Sequence, residues 1–187
     1  MTKISPAMNA LYHGGTEEGE QLLSDEPTVF EAAAFGRVDD LRRIVVADPE
    51  AAQGRAPDDF TALHLAAFFG HAEAVKILLE FGAYINAEAS NTFVSRVQPL
   101  HSAAANRDPA CCRLLIEAGA DVNAQQGDGF TPLMEAAQEG DVELAKMFLD
   151  AGADSSIARD DGTDAMSLAE TGGHQAIINL LKVGRTI

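Results

Sequence analysis

An all-α array of stacked repeats is predicted by three observations: a recurring run of residues, apolar side chains at helical spacing within each copy, and a composition suited to close helix packing. The run reads FTALHLAAFFGHAEAVKILLEFGAYINA from Phe60, VQPLHSAAANRDPACCRLLIEAGADVNA from Val97 and FTPLMEAAQEGDVELAKMFLDAGADSSIA from Phe130. Alanine pairs mark the register at Ala32-Ala33, Ala66-Ala67, Ala103-Ala104 and Ala136-Ala137, with a last copy starting at Ala169, so the offsets are 34, 37, 33 and 33. A fixed period in this range is the signature of a repeat architecture. The chain of 187 residues holds 33 Ala, no Trp and 6% aromatics, which suits helices that approach through small side chains and disfavours sheet.

Each part of a copy has a physical reason. Thr61 and Thr131 offer capping hydroxyls to the first helix, and Pro132 sits in a first turn, where its missing N–H is not needed. Leu65, Ala66 and Ala67, then Val75, Ile77, Leu78 and Leu79, form apolar faces at helical spacing. Gly82, Gly119 and Gly152 follow the second helix, where a left-handed residue closes a helix end. One unit cannot bury its face alone, so neighbours must stack into a quasi-one-dimensional core with polar terminal units.

On these residues the chain resembles the ankyrin-repeat family, and the resemblance covers about residues 28–182. It implies a solenoid of stacked helix-turn-helix units with hairpin loops. Residues 1–27 are read as an N-terminal helical cap without a hairpin, repeats as about 28–57, 58–90, 95–125 and 128–158, a C-terminal cap as 161–182, and 183–187 as a tail. The third copy departs from the pattern: four extra residues lie between Asn86 and Leu100, and Arg107 replaces the inter-helix glycine.

Composition excludes some partners. With 29 acidic and 13 basic side chains the formal charge is −16, which opposes binding to nucleic acid or anionic lipid and favours a basic protein partner. No apolar stretch approaches the length of a transmembrane helix. The only cysteines, Cys111 and Cys112, are adjacent and cannot staple distant parts of a chain, so reduced core thiols in a cytoplasmic protein are expected. A monomer is expected.

Catalytic and metal motifs fail on inspection. Gly14-Gly15-Thr16-Glu17-Glu18-Gly19 has phosphate-loop glycines but Glu20 and Gln21 where Lys and Ser or Thr are required. Asp160 to Asp164 lacks the alternate acids and closing Glu of a calcium loop. No nucleophile stands at a family-like spacing from a base, so a non-catalytic chain without cofactor or metal is expected. His64 and His101 share one repeat position and could be misread as ligands, but Met134 occupies it in the next copy, which favours a structural row. His13, His71 and His174 are expected to be solvated near turns.

The resemblance implies binding through hairpin tips and the exposed ends of the first helices, which form a concave groove. That places Tyr12, Phe35, Phe60, Phe68, Phe69, Phe93, Val94, Val97, Asn106, Phe130, Gln138 and Glu139 at a partner surface, with Phe69 and Phe93 expected to be the most exposed. Individual rings, Phe60 and Phe130 above all, have packing along the array as their alternative. Asp58, Asp59, Glu88, Asp128, Glu139 and Asp161 would form an acidic rim. The expected function is a small protein-binding adaptor; the alternative is a regulatory, inhibitory or accessory subunit controlling a partner enzyme. Asn86 and Asn123 also resemble asparagines that hydroxylases modify in some ankyrin proteins.

Overall fold

A computed structural model describes residues 4–184. Among the described residues twelve α-helices follow one another. The cap contributes α1 (Pro6–Tyr12) and α2 (Thr16–Leu22). The pairs α3 (Val29–Ala34) and α4 (Val38–Ala47), α5 (Ala62–Phe68) and α6 (Ala72–Glu80), α7 (Pro99–Ala105) and α8 (Pro109–Glu117), α9 (Pro132–Glu139) and α10 (Val142–Asp150), and α11 (Ala165–Gly172) and α12 (Gln175–Gly184) form the array. A short 3-10 turn, Pro49–Gln53, follows α4. The odd-numbered helices from α3 to α11 pack in sequence as one layer and the even-numbered helices from α4 to α12 as the other. The last helix thus runs two residues past the expected boundary at 182, and residues 185–187 of the expected tail lie outside the described residues.

Local chemistry sets the helix starts. The hydroxyls of Thr28, Thr61 and Thr131 accept from the backbone N–H of Glu31, His64 and Met134. Asp108, Asp141 and Asp164 do the same for α8, α10 and α11, so the degraded last copy replaces Thr with Asp without losing the cap. Hairpins close on single antiparallel bridges, Arg55 to Thr61, Ala89 to Val97 and Ala158 to Asp164.

Alanine lets the layers approach. Ala32, Ala33, Ala66, Ala67, Ala103, Ala136 and Ala137 are buried beside Leu41, Leu63, Ile77, Leu78, Leu115, Leu144 and Phe148 in one core that runs the length of the array. Cys111 and Cys112 are fully buried in it. Burial is the first cause that pushes the Cys111 thiol up to about 12 and Cys112 upward as well, with Asp108 adding to both. These thiols pack as small apolar groups.

Two of the three turn histidines correct the expectation of solvation. His71 Nε2 donates to the Ala34 carbonyl at 2.9 Å, and His174 Nε2 donates to that of Gln138 at 3.0 Å. Each ring lies on the inter-helix glycine of the preceding repeat: a Cβ at Gly36 would stand 2.6 Å from His71 Nδ1, and one at Gly140 2.6 Å from His174 Nδ1. Both glycines have positive φ, at 63° and 71°. Glycine is therefore required there twice over, by conformation and by the neighbour's ring. His13 is exposed, as expected, and its ring Nδ1 lies 2.7 Å from the Asn9 carbonyl.

Arg107 holds the same turn without glycine, at φ 55°, and its Nε reaches Asp141 Oδ2 at 3.2 Å. The cap is docked by a second apolar cluster of Met8, Leu11, Ala34 and Leu65, with Phe30, Phe35, Phe60 and Phe69 packed around it.

Candidate functional site

The concave face is organised by the two buried histidines. The Nε2 of His64 faces the Val97 carbonyl at 2.9 Å and must carry the proton, whereas Nδ1 receives the Thr61 N–H at 3.2 Å and the Thr61 hydroxyl at 2.8 Å and must be bare. The ring is therefore neutral. Burial, the dominant cause, lowers its pKa to about 4 against the support of the Val97 carbonyl. His101 repeats the arrangement, accepting the Gln98 N–H and donating to the Ala124 carbonyl, and burial lowers its pKa too. Both rings tie an inner helix to the hairpin that follows, as the structural reading expects.

His64 thereby anchors the inserted loop, residues 87–98. Ala89 and Val97 close its base with two backbone bonds of 2.8 and 3.0 Å. At the tip, Asn91 Oδ1 accepts from Phe93 and Val94 N–H at 2.9 and 3.1 Å, while Asn91 Nδ2 donates to the Asp58 carbonyl at 3.0 Å. Ser90 N–H reaches Asp59 Oδ2, Arg55 reaches the Glu88 carbonyl, and Gly127 N–H reaches the Ser95 carbonyl on the far side. The loop is sewn to both neighbouring hairpins. On this fastened tip Phe93 is 93% exposed.

The remaining aromatic positions divide. Phe68 is 44% and Tyr12 36% exposed. Phe69, expected to be among the most exposed, is half-buried: it stacks on Tyr12 with centroids 6.2 Å apart and meets Phe68 edge-on at 5.1 Å. Phe35 turns into the cap, where a Cβ on Gly19 would stand 2.7 Å from its Cζ. Phe60 is half-buried beside the His64 ring, and Val97 and Phe130 are buried, with the Arg159 guanidinium 5.5 Å over the Phe130 ring. The alternative of packing along the array holds for these rings because their hairpin-base position faces the neighbouring unit. Asn106, Gln138 and Glu139 are exposed and Val94 is half-buried. Asn106 also covers the preceding turn, since a Cβ at Gly70 would stand 2.9 Å from its Nδ2.

Between the loop and the inner helices lies an apolar cavity of about 310 Å³. Tyr12, Phe60, Phe68, Val94 and Val97 line it together with Leu65, Ser102, Ala105 and Glu135 of α5, α7 and α9. Sequence reasoning missed this floor. Leu65, Ser102 and Glu135 occupy one repeat position, the residue before the alanine pair, so the signal was present in the register itself. Tyr12 reaches two units along the array: its hydroxyl donates to Asp58 Oδ2 at 2.6 Å, and burial followed by that contact raises its pKa.

The expected acidic rim is partly spent internally. Asp59 pairs with Arg55, Glu88 with Arg96 and Asp161 with Arg159. Glu135 is half-buried, and its carboxyl pKa is raised first by burial and then by Glu139. Asn86 and Asn123 serve the hairpins, their Oδ1 atoms accepting from Asp121 and Asp154 N–H. Among the described residues no group of three or more His, Cys, Asp or Glu is placed to hold a metal ion, and no helix is long and apolar enough to cross a membrane.

Comparison with known proteins places this geometry. The family described as ankyrin repeats (3 copies) matches residues 4–126 and 100–186. The chain is 34% identical over 134 residues to the human neurogenic locus notch homolog protein 2, covering 70% of this chain and 5% of that protein. It is 37% identical over 76 residues to the mouse protein phosphatase 1 regulatory subunit 27, covering 41% of this chain and 47% of that protein. The E3 ubiquitin-protein ligase KEG of Arabidopsis thaliana is 40% identical over 83 residues, 44% of this chain and 5% of the ligase. The chain thus spans less than half the length of each of these relatives.

Proposed function

The chain belongs to the ankyrin-repeat family, whose repeats bind protein partners, and from that premise we propose that it is a non-catalytic adaptor that seats its partner on the concave face. The partner lies against Tyr12, Phe68, Phe93 and Val94, with Asn106, Gln138 and Glu139 at the margin. One observation carries this reading: the exposed Phe93 is held on a loop with hydrogen bonds to both neighbouring hairpins, and Val94 of that loop lines a cavity together with the exposed Phe68. Solvating an apolar ring on an ordered tip is unfavourable in the free chain, and a partner that covers it recovers that burial with little ordering cost. The acidic charge favours a basic partner, the array acts as a monomer, and the reduced core thiols suit the cytoplasm.

Affinity capture with the wild-type chain and with Phe68→Asp, Phe93→Asp tests this. Both substitutions fall on exposed rings, so helicity by circular dichroism should be unchanged while one partner is lost selectively. Retention of every partner by the double variant contradicts the groove. A second reading is favoured by the match to the phosphatase regulatory subunit: the chain controls an enzyme that it binds. In that case the captured partner's turnover changes when the chain is added, and an unchanged rate refutes it.

A further inference from the structure

We propose that the cavity under the inserted loop is a site for an extended peptide segment with a bulky apolar side chain at one end and an Arg or Lys about five residues away. The proposal rests on the concave-face reading and gives that face a partner chemistry. Three side chains at one repeat position make a graded floor across α5, α7 and α9: Leu65, then Ser102, then Glu135. The aromatic walls lie at the Leu65 end: Phe68 is on α5, Phe60 packs beside His64 of α5, and Tyr12 stacks on its C-cap residue Phe69.

The middle position is polar and the far one is acidic. Ser102 is buried on α7 and lines the cavity. Its hydroxyl can donate to a carbonyl or accept from an amide of a peptide laid along the groove. Glu135 has no cation near it among the described residues, and its neighbour in charge is Glu139, one helical turn along α9. Of the acids outside the lining, Asp59 pairs with Arg55 and Glu88 with Arg96, while Asp58 accepts from the Tyr12 hydroxyl. Among the described residues that line the cavity Glu135 is the one acidic or basic side chain besides the neutral His64 and His101 rings, and it lies on α9, away from the aromatic residues about α5.

Geometry sets the spacing. Packed helices stand about 8–10 Å apart, so α5 to α9 spans about 16–20 Å. An extended chain advances about 3.3 Å per residue, which puts the cation about five or six positions along from the apolar anchor. A helical ligand would advance only about 1.5 Å per residue and would not match both ends with so short a segment.

The test is an NMR titration of the ¹⁵N-labelled full chain with blocked peptides Gly-Leu-Ser-Ser-Ser-Ser-Arg-Gly and the reversed order, against versions with Leu changed to Ala, Arg changed to Glu, or the four serines removed. Shifts are expected at Leu65, Ser102, Ala105 and Glu135 with one of the two parent orders. Each altered peptide should bind at least about tenfold more weakly, the scale of one lost anchor or charge pair. Glu135→Gln should remove the preference for Arg over Glu without unfolding the chain, and Ala105→Trp, which fills the cavity from an exposed position, should abolish the shifts. Equal binding by the Ala or Glu peptides, absence of shifts with both parent orders, or insensitivity to Glu135→Gln overturns the proposal. So do shifts at Ser102 and Glu135 that grow with protein concentration in the absence of peptide, because a second copy would then occupy the groove. Selective loss of a partner from the Phe68→Asp, Phe93→Asp bait alongside a failed titration would leave the adaptor reading standing and reject this one.

Discussion

Phe148→Ala is expected to lower the unfolding free energy by about 3–5 kcal/mol, the usual cost of emptying a phenylalanine site in a packed core. Phe148 is fully buried on α10, a helix that packs against α8, α9 and α12. In a solenoid each unit is held only by its neighbours, so a defect at α10 also loosens the attachment of α11 and α12 to the rest. Urea unfolding followed by circular dichroism should show the loss, and for a chain of this size each kcal/mol corresponds to about 2–4 °C in Tm. Amides of residues 142–182 should exchange faster than those of α3 to α6. A loss under about 1 kcal/mol would mean that α10 does not bear on the core as described.

Acid should weaken the fold through the histidine row. The folded pKa of His64, at about 4, lies below its unfolded value of 6.5, so the unfolded chain takes up the proton first as pH falls. The stability contributed by the neutral ring is present above pH 6.5 and drains away as pH falls toward 4. Between pH 7 and 4.5 the loss from His64 alone is about 2–3 kcal/mol, and His101 acts in the same direction. His64→Met adopts the side chain that Met134 already supplies at this position two repeats on, where it is buried. The variant should be less stable at neutral pH, because the Thr61 N–H loses its acceptor, but its decline over that pH range should be shallower than that of the parent. Parallel curves for the two proteins would refute the assignment of a neutral, buried His64.

Much of the architecture was legible because framework positions answer to folding alone. Thr61, Thr131 and Pro132 mark helix starts, the alanine pairs mark the layer contacts, and Met134 in place of a third histidine pointed to a structural row. Where reasoning by position fell short, a neighbouring unit decided the outcome. His71 and His174 lie in turns, but each inter-helix glycine leaves room for the next repeat's ring. Phe69 sits at a groove position, but Ala34 in the first repeat is small enough for the cap's Tyr12 to reach across and stack on it. Phe130 and Val97 sit at hairpin bases that the adjacent hairpin covers. The cavity floor was missed for a different reason: Leu65, Ser102 and Glu135 differ in chemistry, so a search for a shared aromatic or charged character passed over a row whose meaning is its gradient.

Hydrogen exchange of the chain alone and in complex with its captured partner tests the central claim most directly. If the partner seats on the concave face, exchange should slow at residues 88–106, across the inserted loop and α7, while the outer helices α4, α6 and α8 are unchanged. Protection confined to those outer helices, with residues 88–106 exchanging as in the free chain, would contradict it.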